Sequence, residues 1–363
     1  PADAQPAAPQ QGGRGGRGGR GGFGGGRAPS VEYNFDVVCM DRKNGEILWQ
    51  KTVTKALPHE GHHGDGSFAS YSPVTDGKLV WANFGSRGLY CLDVDGNLKW
   101  SKELVQQNIR AGFGEGSSPA IAGNAVIVVS DHEGQSYIYA FDKVSGEPLW
   151  KKERDEGTNW ATPLPFEVNG KIQVIVNATN FARAYDLETG EVLWQCSGQT
   201  QNVIPTPLPG DGRVFLISGF RGGALYAIDP TKTGDITDTD GVIWKMTETT
   251  TPYVPSGILI KDKIYVCSNN NAEVSCYEAE DGKANFVKQT VEAVKGVYAS
   301  FVGAGDNIYL AGRNGVTAVI KVGDTLDVIA TNTLDDKIDA TPAIVGDELF
   351  IKTSKNLYCI AKE

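Results

Sequence analysis

The sequence predicts an all-β chain folded as a propeller of four-stranded antiparallel blades, and three observations predict it. A phrase of Asp, three residues, Gly, three residues, Trp recurs as Asp41/Gly45/Trp49, Asp142/Gly146/Trp150 and Asp186/Gly190/Trp194. A shortened copy holds Asp93, Gly96 and Trp100, a stretched one Asp229, Gly241 and Trp244, and a decayed one Glu278, Gly282 and Phe286. The copies stand about 40–50 residues apart, the spacing of a propeller or solenoid. Each interval holds four short alternating apolar runs punctuated by Gly, Asp and Asn, and no stretch keeps a helical period over three turns.

The unit around residues 119–152 shows the pattern: Pro119–Ile121, Ala125–Ser130, Tyr137–Phe141 and Pro148–Lys152, joined by turn residues. Four antiparallel strands per repeat of this length make a propeller blade. Within the phrase, Asp ends the third strand and accepts turn amides. Gly supplies the positive φ that the hairpin needs. Trp lies on the outermost strand, where a large ring covers the seam between blades.

This phrase resembles the pyrroloquinoline-quinone (PQQ) type propeller repeat of quinoprotein dehydrogenases and of the outer-membrane assembly factor BamB, over about residues 36–363. Gly112–Pro119, Asp131–Gly134, Ser218–Gly222 and Leu357–Ile360 are similar to a group of exported bacterial PQQ-like repeat proteins. The resemblance implies a periplasmic or secreted protein.

First strands are marked by Ser72-Pro73, Ser118-Pro119, Thr162-Pro163, Thr206-Pro207, Pro255-Ser256, Ala299-Ser300 and Thr341-Pro342, seven in all. Third strands begin at Val37, Leu89, Ile138, Ala182, Leu225, Val274, Val316 and Leu357, eight in all. The chain therefore opens with half a blade and closes with three strands. The expectation is an eight-bladed propeller with an incomplete first blade, an insertion at Pro1–Pro29 and an open seam or poorly paired edge strand between the chain ends. The alternative is a seven-bladed closure, in which the first outer strand completes the last blade.

Residues 1–30 read as a low-complexity Gly/Arg-rich segment and residues 31–363 as one propeller domain. The Arg-Gly-Gly tract Gly12–Arg27 suits a flexible loop better than an RNA contact, because the remainder of the chain is acidic and the net charge is −10. No apolar run approaches a membrane span. Of the six cysteines, Cys39, Cys91, Cys276 and Cys359 occupy one third-strand position on different blades. That position reads as a small buried apolar site, too distant from its copies for disulfides.

Strand order puts the inter-blade loops and the loops between second and third strands on one face, where binding residues concentrate. Candidate ligand-binding residues there are Arg87, Glu115, Asp131, His132, Asn159, Trp160, Asn202, Arg221, Tyr253 and Arg313. His59, His62, His63 and Asp65 carry ligand types for zinc or another transition metal. His132 lies between two carboxylates, and Trp160 and Tyr253 offer flat surfaces for a planar or sugar ligand.

Three functions fit. The favoured one is a non-catalytic, monomeric binding or scaffold module that grips a protein, peptide or glycan on the polar loop face, with no cofactor. The second is a PQQ-dependent dehydrogenase. The resemblance would then imply calcium, a carboxylate from Glu115, Asp131 or Asp155, Asn159 as calcium ligand, Arg221 at the quinone oxygens and Trp160 stacking. The chain lacks that family's adjacent Cys pair. The third is a metal-assisted hydrolase or lyase using the His59–Asp65 loop, with Glu115, Asp155 or Glu156 as acid or base.

Overall fold

The structure is a computed structural model that describes residues 24–247, 251–268 and 270–361. Most of the Gly/Arg tract lies outside them. The strands form a series of sheets that are antiparallel apart from one short added strand. Blade 1 comprises Val74–Thr75, Leu79–Asn83, Leu89–Asp93 and Leu98–Lys102; blade 2 Ala120–Ala122, Ala125–Ser130, Ser136–Asp142 and Pro148–Arg154. Blade 3 comprises Leu164–Val168, Lys171–Val176, Ala182–Asp186 and Val192–Cys196; blade 4 Leu208–Pro209, Val214–Ser218, Ala224–Ile228 and Val242–Met246. Blade 5 follows as Ile258–Ile260, Lys263–Ser268, Glu273–Glu278 and Ala284–Thr290, and blade 6 as Val302–Ala304, Asn307–Ala311, Val316–Lys321 and Asp327–Thr333. Blade 7 has three strands, Ala343–Val345, Glu348–Lys352 and Leu357–Ala361.

The strands Tyr33–Met40 and Ile47–Ala56 pair only with each other, as a separate ribbon. This corrects the eight-bladed expectation in favour of the seven-bladed alternative: a hairpin without inner strands does not make a blade, and the blades number seven. Nor does the ribbon complete blade 7, since no backbone pairing joins Leu357–Ala361 to it among the described residues. Packing holds it against blade 1 instead, where Phe35 and Val37 bury against Ala82, Phe84 and Leu92.

The repeated phrase works as a latch between neighbours. Asp142 Oδ1 accepts the amides of Val144 and Ser145 at 3.0 and 2.8 Å, and Asp186 repeats this with Glu188 and Thr189. Trp49, Trp100 and Trp150 each lie on the phrase glycine of the next sheet. A Cβ on Gly96 would stand 2.7 Å from Trp49, one on Gly146 2.6 Å from Trp100, and one on Gly190 2.7 Å from Trp150. The indole N–H donates to the carbonyl of the residue after the phrase acid: Trp49 to Val94 at 2.9 Å, Trp150 to Leu187 at 2.8 Å and Trp244 to Ala279 at 3.1 Å. Trp100 breaks the series. Trp81 takes the Lys143 carbonyl at 3.0 Å, and the Trp100 indole nitrogen is buried without a partner.

The stretched copy has its own cause. Its extra residues include Gly234–Asp235, which add a parallel strand beside Trp194 and Gln195 of blade 3. Trp194 then reaches the next blade through Gln173, whose amide donates to the Pro230 carbonyl at 2.9 Å. At the inner strands, hydroxyls tie consecutive blades. The amides of Ser72, Thr206, Ser256 and Ser300 donate to Ser118, Ser256, Ser300 and Thr341 at 2.9–3.0 Å.

All six cysteines are free. Cys91 and Cys276 are fully buried, as their repeat position suggests, and burial pushes the Cys91 thiol up to about 12. Cys359 is exposed, on a blade that lacks a fourth strand, and Cys39 is half-buried on the face that Val37 turns to blade 1. No helix among the described residues is long and apolar enough to cross a membrane.

Candidate functional site

Inter-blade loops do meet the loops between second and third strands on one face, and the contacts are polar. Glu115 is the first junction. Its carboxylate accepts the Ser86 amide at 2.7 Å, the Ser86 hydroxyl at 2.6 Å, the Tyr71 hydroxyl at 3.0 Å and the Gln107 amide at 3.3 Å. One carboxylate thus joins the loops entering and leaving blade 1.

Asp131 is the second. It binds Arg154 side-on, with Nε at 2.7 Å and Nη2 at 3.0 Å, and the two side chains are 1% and 0% exposed. Arg154 also donates to the Tyr185 hydroxyl and lies 5.7 Å from the centre of that ring. Burial would lower the Arg154 pKa; the Asp131 charge reverses this and raises it, so the guanidinium keeps its charge. Asn159, also buried, donates to the Gly157 carbonyl and accepts from Thr179 at 2.9 Å and from Val203 at 3.3 Å.

His132 meets no carboxylate. Its Nδ1 accepts the amides of Gly134 and Asn108 at 3.0 and 3.2 Å, which leaves Nε2–H to donate to the Gln135 carbonyl at 3.0 Å. Its tautomer follows from these partners. Trp160 donates to the Gly114 carbonyl at 2.7 Å and is held by its own amide on Val203. Glu133 binds Thr158 and Arg110; burial raises its pKa, and these hydrogen bonds and the Arg110 charge outweigh that and lower it. Asp155 and Glu156 both pair with Arg183, and the Glu156 pKa is raised by burial.

The His59–Asp65 loop does not gather its four ligand types, although His63 Nδ1 stays 3.7 Å from the Asp65 carboxylate. Asp65 reaches across to blade 6 and the loop beyond it, binding Arg313 and Lys337 at 2.5 and 2.9 Å. Those two cations also hold Asp339, and the Arg313 guanidinium lies 4.1 Å above the Tyr298 ring. The hydrogen bond from Lys337, with that from Arg313, lowers the Asp65 pKa. His62 turns back to the His63 carbonyl and packs edge-on against Phe68, and His63 packs against Phe113.

His59 joins a different group. It lies with Glu60 and Glu115, their ligand atoms within 4.8 Å of one another. Arg87 donates to His59 Nδ1 at 3.0 Å, and His59 Nε2 sits on the Gln107 carbonyl. Glu60 accepts only the Ile109 amide, and burial raises its pKa. Glu60 went unnoticed in the sequence because nothing in the loop's spacing shows that it turns inward beside His59.

The Gly/Arg tract ends on this face too. Gly25 and Gly26 donate to the carbonyls of Ala111 and His62, and a Cβ on Gly25 would overlap Gly112 at 1.5 Å. The least committed candidates stand at blades 4 and 5. Arg221 is exposed, with its guanidinium 5.1 Å from the Phe220 ring centre and no ion pair among the described residues. Phe220 packs against Tyr253 at 4.9 Å, and the Tyr253 pKa is raised by burial. Asn202 accepts from Arg110 at 3.1 Å.

The family model for outer membrane protein assembly factor BamB matches residues 33–285 and 134–363. The chain belongs to that family. No curated protein matches the sequence. Among solved structures, BamB from Moraxella catarrhalis is similar at 16% identity and a TM-score of 0.64, covering 91% of this chain and 97% of its own. The computationally designed Ika8 protein is similar at 12% and 0.61, over 91% of each chain. A europium-containing methanol dehydrogenase is similar at 12% and 0.65, over 88% of this chain and 79% of its own. At these identities the likeness shows the fold, a PQQ-like repeat propeller.

Glu115, Asp131 and Asn159 do not fit PQQ with a calcium ion. Such a site needs an uncommitted carboxylate base, oxygen ligands for the cation and a free aromatic face. Of the residues offered for it, the Asp131 oxygens hold Arg154, those of Glu115 hold four donors, and Asn159 is bonded to Gly157, Thr179 and Val203, whereas Asp155 is exposed beside Arg183.

Proposed function

We propose that this BamB-family propeller is a non-catalytic binding or scaffold module that engages a protein or peptide partner on its loop face, outside the cytoplasm. The observation that carries this is the commitment of the face's acids. Glu115, Asp131, Glu133, Glu156 and Asp65 each have internal donors, so none of these five stands free for acid–base chemistry. What remains available is Arg221 with Phe220 and Tyr253. Arg and aromatic side chains on a rigid support are the residue types that dominate protein interfaces.

Affinity capture from an extract of the source cells tests this. The wild type is compared with an Arg221→Glu/Tyr253→Ala variant of equal stability. A partner retained by the first and lost by the second supports the proposal. Equal capture by both, or capture by neither, overturns it.

A further inference from the structure

We propose that a cavity between the ribbon and blade 1 binds a primary alkylammonium group, from a free amine or a lysine side chain, between the carboxylates of Glu60 and Glu115. The other acids of the loop face show that a cation is missing there. Asp131, Glu133, Glu156 and Asp65 each hold an Arg at 2.5–3.3 Å. Glu60 and Glu115 form no ion pair among the described residues. Arg87 lines the same cavity, but its Nη2 donates to His59 Nδ1 and its Nε is buried without a partner. A guanidinium can only donate, so His59 Nδ1 accepts, Nε2 carries the proton toward the Gln107 carbonyl, and the ring is neutral. Two carboxylates thus face Arg87 alone, and the cavity is short of one positive charge.

The geometry suits one shared donor. An oxygen of Glu60 and an oxygen of Glu115 lie within 4.8 Å of one another. An ammonium nitrogen bonds carboxylate oxygens at about 2.8 Å, so a single –NH3+ between the two reaches both. Glu115 is held in place by neutral donors from Ser86, Tyr71 and Gln107. It rests on Gly85, where a Cβ would stand 1.7 Å from its Oε2. Glu60 shares only the Ile109 amide between its two oxygens, at 3.2 Å each, and keeps lone pairs for a ligand.

The walls select the kind of cation. Phe35, Phe68, Tyr71 and Phe84 line the cavity with these acids, and its surface is mostly apolar. Its enclosed part has room for one water-sized group, and with its open mouth it measures about 330 Å³. An ammonium head is water-sized, and its alkyl stem would lie in the mouth against aromatic walls, which favour a cation. A trimethylammonium head is too large. A divalent metal ion finds too few ligands, since both His59 nitrogens are committed and a guanidinium stands by. The cavity shares no residue with the Arg221 and Tyr253 cluster of blades 4 and 5, so either site can fail without the other.

Ligand-observed NMR on the purified chain tests this, with n-butylammonium, Nα-acetyl-lysine methylamide and tetramethylammonium as probes. n-Butylammonium should bind with a Kd of about 1 mM or tighter, and tetramethylammonium about tenfold more weakly or not at all. Glu60→Gln keeps the shape and removes the charge, and should weaken n-butylammonium about tenfold or more at an unchanged Tm. If that variant melts lower, Glu60→Asp, which keeps the charge but withdraws it, should weaken binding in its place. Tighter binding of the lysine amide assigns the site to a polypeptide lysine, tighter binding of n-butylammonium to a free amine; either supports the proposal. No binding, equal binding of tetramethylammonium, or unchanged binding to both Glu60 variants overturns it. Displacement of n-butylammonium by micromolar calcium or zinc would make the cavity a metal site and also overturn it.

Discussion

Asp131 stands on the loop face where a ligand carboxylate is expected, yet its surroundings make it a structural residue, and Asp131→Ala separates the two. The substitution leaves the Arg154 guanidinium 0% exposed with only Tyr185 and the more distant Glu156 near it. Breaking one side of such a pair destabilises by about 3–5 kcal/mol, because the remaining charge is buried without compensation. With an unfolding entropy of roughly 2.1 cal/mol/K per residue, that loss lowers Tm by roughly 4–7 °C for a chain of this length. Replacing both partners, as Asp131→Leu with Arg154→Met, should restore much of the loss, since no lone charge remains. Urea unfolding of the wild type, both single variants and the double variant measures the coupling. A loss below about 1 kcal/mol for Asp131→Ala would refute the reasoning and return Asp131 to the list of ligand candidates.

Other consequences follow from the same geometry. Asp65→Asn should remove about 1 kcal/mol by freeing Arg313 and Lys337, with the loss shrinking at high salt; thermal melts at two salt concentrations check this. Because the Asp65 pKa is lowered in the folded state, its contribution is complete above the ordinary Asp pKa near 4 and disappears as pH falls through the folded value. Hydrogen exchange around residues 57–71 should therefore speed up below about pH 4 in the wild type and not further in Asp65→Asn. Trp150→Phe should cost about 1 kcal/mol more than Trp100→Phe in denaturant melts, since only the first removes a made hydrogen bond and orphans the Leu187 carbonyl. Gly96→Ala should destabilise by about 1–3 kcal/mol, through positive φ and overlap with Trp49; a neutral melt would show that the latch is loose.

The architecture was legible because the phrase encodes it: Asp for the turn, Gly for the left-handed backbone and the indole's close approach, Trp for the seam. The face carrying the loops was legible too, since strand order alone assigns it. What the sequence could not give is which way each loop side chain turns. His59 and Asp65 are six residues apart, yet one packs beside Glu115 and the other reaches blade 6. Asp131 looked free because its partner Arg154 lies a full strand away in a different run. The blade count went astray for a related reason. Third-strand signals mark strands, and the ribbon has a third and a fourth strand without the inner pair that makes a blade.

The most direct test of the claim that the loop-face acids are spent on the scaffold is calorimetric titration of PQQ, with calcium present, into the purified chain. The account predicts no heat beyond dilution. One-to-one binding at micromolar affinity or tighter would contradict it.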